Sequence, residues 1–212
     1  QIGMKQVTVK APAKLPVVAL VWPAPNLRDP ARDADPYALE ILAGVLDGHA
    51  SARLNQSLVR EKQIAVEASA GYDSIARGPG MFSLDASPVE GKSVAEVQAA
   101  LKDEIARLIK DGVSDSELNR VKAQVLASQV YQQDSLFYQA MQIGEWTTAG
   151  LDYKDRDTRY ARLKAVTGEQ VREVARKYLV DDRLTVAVLD PLPMPQGAPV
   201  FQRNLIGGGH GR

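Results

Sequence analysis

Hydrophobic and polar positions recur along this chain with two different periods, and each switch between them marks an element. Residues 7–10 and 17–22 are β-branched and apolar, set apart by Pro12 and Pro16, and predict two strands. Residues 23–36 hold four prolines and several charges and predict a surface loop. Asp35-Pro36 offers a helix N-cap followed by proline at the first helical position, and Leu39, Leu42, Ala43 and Leu46 keep helical spacing until Gly48 ends the run. A shorter helix is predicted over residues 52–61. Ile64, Val66, Ala68, Ala70 and Tyr72 then alternate with polar or tiny residues. Phe82, Leu84 and Ala86 repeat the alternation after a turn at 76–80, which predicts a hairpin with one buried face.

Three later helix starts are marked by capping boxes: Ser93 with Glu96, Ser114 with Glu117, and Thr167 with Gln170. The first of these helices carries Val94, Val97, Leu101, Ile105 and Leu108 on one stripe and ends near Gly112. The second carries Leu118, Val121, Val125 and Leu126 and is predicted to run on toward Trp146. Further helices are predicted over 153–165 and 168–178, and a last strand over 184–189. This order predicts an α+β fold, with helices packed on one face of a largely antiparallel sheet, in one domain spanning 1–192. Residues 193–212, rich in proline and glycine, read as a flexible tail.

Composition narrows the function classes. A chain of 212 residues, 45% of them hydrophobic, can bury a real core. Lys plus Arg and Asp plus Glu both count 26, which removes the basic surplus that nucleic-acid binding requires. No apolar run approaches the roughly 18 residues of a membrane span, so neither nucleic acid nor membrane is an expected partner. The absence of cysteine excludes disulfides, thiolate metal sites and cysteine nucleophiles.

Candidate chemistry is sparse. The two histidines, His49 beside a helix end and His210 among glycines, have no second ligand at metal spacing, and no catalytic or metal-binding residue is expected here. No Gly-x-Ser-x-Gly elbow is present, and Gly78-Pro79-Gly80 lacks the strand-to-helix setting of a phosphate loop. Asp29, Asp33 and Asp35 look solvated. Arg60 stands out, because it ends a helix beside a strand, where its guanidinium fork can reach a peptide carbonyl. The competing reading of Arg60 is a plain ion pair with Glu61 or another surface carboxylate. Arg53 reads as structural, a helix residue tying its loop.

The motifs Gly48-His49-Ala50-Ser51-Ala52-Arg53-Leu54 and Leu58-Val59-Arg60-Glu61-Lys62, followed by the hairpin and by Gly112-Val113-Ser114, resemble the C-terminal, zinc-free half of the pitrilysin/insulinase family of zinc metallopeptidases. Mitochondrial processing peptidase and the core proteins of the cytochrome bc1 complex are members. The resemblance implies a LuxS/processing-peptidase-like metallohydrolase fold. It also implies a zinc-bearing N-terminal half or subunit as partner, and a peptide substrate cleaved in a chamber closed by the two similar halves. Zinc belongs to the partner half, none to this chain, which alone is expected to be inactive.

In the family an arginine at the place of Arg60 and a tyrosine seven residues later hold the substrate carbonyl. Arg60 matches; position 67 is Glu with Val66 beside it, and the usual glycine is missing from Gln63-Ile64-Ala65-Val66. Tyr72, further along the strand, is the remaining candidate for the tyrosine's part in substrate binding. The lost tyrosine also keeps open a catalytically inactive binding or assembly module of the same fold. Family habit in bacteria implies the periplasm. An isolated half is expected to expose an apolar inner face of the hairpin and to form a homodimer.

Overall fold

A computed structural model of the chain describes residues 3–132 and 135–194. Its centre is a sheet of five strands in the order β1-β5-β2-β4-β3, with β1 at Lys5–Pro12, β2 at Val17–Ala24, β3 at Ala65–Tyr72, β4 at Gly80–Pro88 and β5 at Thr185–Leu192. Only β1 with β5 is parallel; the other neighbours are antiparallel. The fold is α+β, as the sequence predicts.

Among the described residues six α-helices follow the same chain order: α1 Asp35–Asp47, α2 Val94–Asp111, α3 Asp115–Gln132, α4 Leu136–Ala149, α5 Arg156–Ala165 and α6 Gly168–Tyr178. Helices α1, α2 and α6 pack against the sheet, while α3 and α5 pack on α1. Alternate residues Val18, Leu20 and Trp22 on β2, Phe82 and Leu84 on β4, and Val186 on β5 meet this layer and are fully buried. Each large apolar side chain so enclosed contributes about 1.5–3 kcal/mol. Helix α1 is buried along most of its length, and α3 comes close because Gly44 has no Cβ; one built there would lie 2.5 Å from Val121 Cγ1.

Capping explains where the helices begin and end. The boxes at Ser93–Glu96 and Thr167–Gln170 form reciprocally, and Gly112 closes α2 at φ 76°, a left-handed value that suits glycine. Two expectations fail. Ser114 accepts from Glu117 N, but the Glu117 carboxylate turns to Arg53 instead of reaching back. At α1 the cap position is Ala34, without a side-chain bond, and Asp35 is already helical; its carboxylate accepts from Lys177 and Tyr178 of α6. In both cases a tertiary partner outcompetes the local backbone.

The segment 23–36 is not a plain surface loop. Leu27 is fully buried, Tyr37 donates to Pro30 O, and the Asn26 amide donates to Ala76 O (2.8 Å) and Gly78 O (2.6 Å), clamping the β3–β4 turn. The helix expected to run on to Trp146 divides into α3 and α4, because Ser135 is extended (φ −112°, ψ 119°) and caps a new helix. The tail expected past residue 192 lies, from 195 onward, outside the described residues, as does His210.

The hairpin departs in one detail that bears on the site. Its register shifts between Ala65 and Glu67, so Val66 is a bulge residue, 53% exposed, and Ala65 takes the buried position. The apolar surface expected on the hairpin's far side is mostly elsewhere. Glu67, Ser69, Ser83 and Asp85 make that part of the sheet polar apart from exposed Met81 on β4, and further apolar residues turned away from the helices are Val7 and Val9 on β1, Leu189 on β5, and Val17 and Val21 on β2.

Candidate functional site

Residues 53–61 form the short helix that the sequence predicts, but its last seven residues, Asn55–Glu61, are wound as a π-helix. The widened turn is visible in Lys62 N donating to Ser57 O at 2.9 Å, five residues back. Such π-helical turns are uncommon and recur at functional positions. The chain leaves this turn through Gln63 at φ 51°, the only non-glycine residue with positive φ among the described residues. A side chain in that conformation costs about 1–2 kcal/mol.

Two polar anchors fix the π-helical segment. At its start, Arg53 makes a two-pronged contact with Glu117 of α3, Nε to Oε1 and Nη2 to Oε2 both at 2.8 Å, and Nη2 also reaches Gly112 O at 2.8 Å. Hydrogen bonding and the charge of Glu117, stronger than the opposing burial, hold the guanidinium above its ordinary range. In the middle, buried Ser57 donates to Glu104 Oε1 at 2.6 Å, and Arg107 donates to Glu104 Oε2 at 2.6 Å. Glu104 is 2% exposed, a carboxylate sunk into the apolar stripe of α2. Sequence reasoning passed over this pair, although a glutamate between Leu101 and Ile105 on a buried stripe is a visible signal that something polar must meet it.

Arg60 sits on the last turn of this fastened helix and is exposed. It makes no hydrogen bond or ion pair among the described residues, and the expected alternative, Glu61, is taken by Gln56 (2.9 Å). Its five donors are therefore available to a ligand. Val66 is also exposed on the bulge six residues later, and Glu67, at the place where the resemblance implies a tyrosine, is exposed beside it.

Tyr72 stands apart from Arg60. It ends β3, about 23 Å of extended chain from Ala65. Its hydroxyl donates to Pro25 O at 2.5 Å, and its ring stacks on Phe82 with centroids 6.1 Å apart. Burial, with nearby Glu40 and Asp73, raises its pKa well above the usual tyrosine range. The structure thus gives Tyr72 the work of holding the 23–36 segment against the hairpin, and does not bring it together with Arg60.

His49 is a loop residue whose Nδ1 accepts from Ser51 N at 3.1 Å. Among the described residues, no group of three or more histidine, aspartate or glutamate side chains could hold a metal ion, so these residues do not fit zinc. A cleft of about 220 Å³ lies between α4 and α5, lined by Gln139, Ile143, Trp146, Tyr153 and Arg156, and contains neither Arg60 nor Tyr72.

A five-stranded sheet with helices packed on one face is the class this geometry defines, and the comparisons agree on that fold. The profile of the peptidase M16 inactive domain matches residues 2–125, and the chain belongs to that family. A protease from Helicobacter pylori is similar in structure, with a TM-score of 0.80 and 20% identity over 89% of this chain and 45% of that one. An inactive peptidase domain from Bordetella parapertussis has a TM-score of 0.75 and 22% identity over 91% of this chain and 99% of that one. A chain of complex III2 from Candida albicans, with Inz-5 bound, has a TM-score of 0.70 and 17% identity over 88% and 45%. At these identities the likeness shows the fold. The chain spans less than half the length of the Helicobacter chain and nearly all of the Bordetella domain. No curated protein sequence matches it significantly.

Proposed function

We propose that this chain is the substrate-holding, zinc-free half of a zinc metalloendopeptidase, working with a zinc-bearing half on the same or another chain to enclose peptides in a periplasmic chamber. The observation that carries this reading is Arg60: an exposed guanidinium without a partner among the described residues, on a π-helical turn locked from beneath by Ser57 and Glu104. A cation left unpaired on a fixed element suits capture of a carbonyl. A charge-assisted bond of that kind is worth about 1.5–3 kcal/mol. It accelerates hydrolysis to the extent that it tightens as the carbonyl oxygen gains charge. The partner half supplies the metal and activates the attacking water; the part of this half is to hold and orient the peptide.

The test is reconstitution with the zinc-bearing half. Arg60→Ala is expected to lower turnover of unfolded peptides about a hundredfold, the low end for removing such a donor. Unchanged turnover would take Arg60 out of the mechanism.

A second reading, an inactive binding or assembly module, is favoured by one specific observation: the tyrosine's place is held by exposed Val66 and Glu67, and Tyr72 is committed to Pro25. Likeness in fold to a complex III2 chain is compatible with it. The two readings part at the sequence of the zinc-bearing half. An intact inverted zinc motif there supports the peptidase, and a degraded one supports the assembly module.

A further inference from the structure

Strand β1 is an open edge of the sheet, paired on one side only, and seven of its eight residues are exposed. Val7 and Val9 are 49% and 52% exposed, on the face that no helix covers. A long edge strand with apolar side chains is a template for pairing with another strand unless something blocks it. Among the described residues nothing lies over it.

The direction of its backbone groups decides what fits. Gly3 and Lys5 donate to Asp182 O and Leu184 O, and Ala13 donates to Leu192 O, so the odd-numbered amides of this stretch turn inward to β5. In a parallel ladder the alternate residues Gln6, Thr8 and Lys10 then turn both N–H and C=O outward. An incoming antiparallel strand must match outward groups to outward groups. A second copy of β1 does so in a register centred on Thr8, with Gln6 opposite Lys10 at either side and about six backbone bonds in all.

In that register Val7 of each copy lies directly opposite Val9 of the other, a non-hydrogen-bonded pair whose side chains come close. Lys5 falls opposite Ala11, so no like charges meet, and Lys10 is already partnered by Asp190. Slipping by one residue would set Lys5 against Lys10 and turn outward groups to inward ones. The strand is self-complementary in charge, hydrogen bonding and apolar surface at once.

We infer that the β1 edge is a self-association site, at which two copies of the chain join antiparallel through Lys5–Pro12 into one continuous sheet with Thr8 on the two-fold axis. The surface involved is small, so the dimer is a transient one that dissociates on dilution. This inference is independent of the role of Arg60.

The test is sedimentation equilibrium of the 212-residue chain over about 10–500 μM, a range that brackets weak association. The wild type is expected to show a reversible monomer–dimer equilibrium. Thr8→Pro removes an outward N–H without touching the bonds to β5, and is expected to weaken association about tenfold or more with an unchanged circular dichroism spectrum. Should that variant fold poorly, two others decide. Val7→Lys with Val9→Lys sets like charges across the axis and is expected to abolish the dimer, whereas Val7→Lys with Val9→Glu sets opposite charges there and retains it.

Register is read by oxidation, which is clean because the chain has no cysteine. Thr8→Cys is expected to give a disulfide-linked dimer, its Cα atoms about 5.5 Å apart, and Gln6→Cys is not. A strictly monomeric wild type overturns the inference. So does a dimer indifferent to the charge pairs, which would have to use another surface such as exposed Leu136, Phe137 and Met141 of α4.

Discussion

Two arginines seven positions apart on one short helix meet opposite fates. Arg53 is enclosed, its guanidinium shared between the Glu117 carboxylate and the Gly112 carbonyl, while Arg60 extends from the far end with no partner among the described residues. The same residue type is used once as a rivet and once as a reaching arm. The difference arises from what the neighbouring elements bring. Helix α3 starts beside Arg53 with a glutamate to spare, whereas Glu61, nearest to Arg60 in sequence, is bonded to Gln56. Stability and function should therefore separate cleanly along nine residues of chain.

The sharpest separation is in stability. Arg53→Ala leaves a half-buried carboxylate and a carbonyl unpaired and is expected to cost about 3 kcal/mol in denaturant unfolding. Arg60→Ala should stay within about 0.5 kcal/mol of wild type. Equal losses for the two would erase the contrast. Ser57→Ala comes next, at about 1–2 kcal/mol, since buried Glu104 loses a donor. In the reconstituted enzyme it should also lower kcat, through the loosened support of Arg60.

Relief of strain should act in the other direction. Gln63→Gly removes the side chain from a left-handed backbone and is expected to stabilise the chain by about 1 kcal/mol, read as a higher unfolding midpoint. A loss instead would mean that the Gln63 side chain makes an unsuspected contribution.

The smallest effect is electrostatic. Burial pushes the Asp35 carboxyl up, but hydrogen bonds from Lys177 and Tyr178 outweigh it and hold the pKa below the ordinary aspartate range. A depressed native pKa stabilises the fold above the unfolded value of about 3.9, and that contribution fades as pH falls through the native one. Asp35→Asn should cost about 0.5 kcal/mol at pH 7, because the pair is partly exposed, and the gap from wild type should close as pH falls through the depressed native pKa. A gap that persists in acid would assign the effect to packing.

How far the sequence could be read follows from the range of the forces involved. The strands and the helix stripes were legible because their two periods are local, and the capping boxes at Ser93 and Thr167 because their partners lie three residues away. Arg53 was readable as structural from its motif, though not its partner, which lies 64 positions away. The Asn26 clamp bridges 50 residues to the hairpin turn, and the bulge at Val66 exists only through pairing with β4, so neither leaves a local pattern. Tyr72 illustrates the same limit. Its place on the alternating strand could be read, but not that its hydroxyl would be spent on Pro25.

Arg60 was singled out from a motif, and that it has no partner among the described residues could be known only from the structure. The account therefore stands on a paired measurement of Arg60→Ala: its unfolding free energy, and its kcat/KM on an unfolded peptide with the zinc-bearing half present. The expected result is wild-type stability with activity down about a hundredfold, equivalent to about 2.7 kcal/mol of lost transition-state stabilisation. Full activity in the folded variant would contradict it.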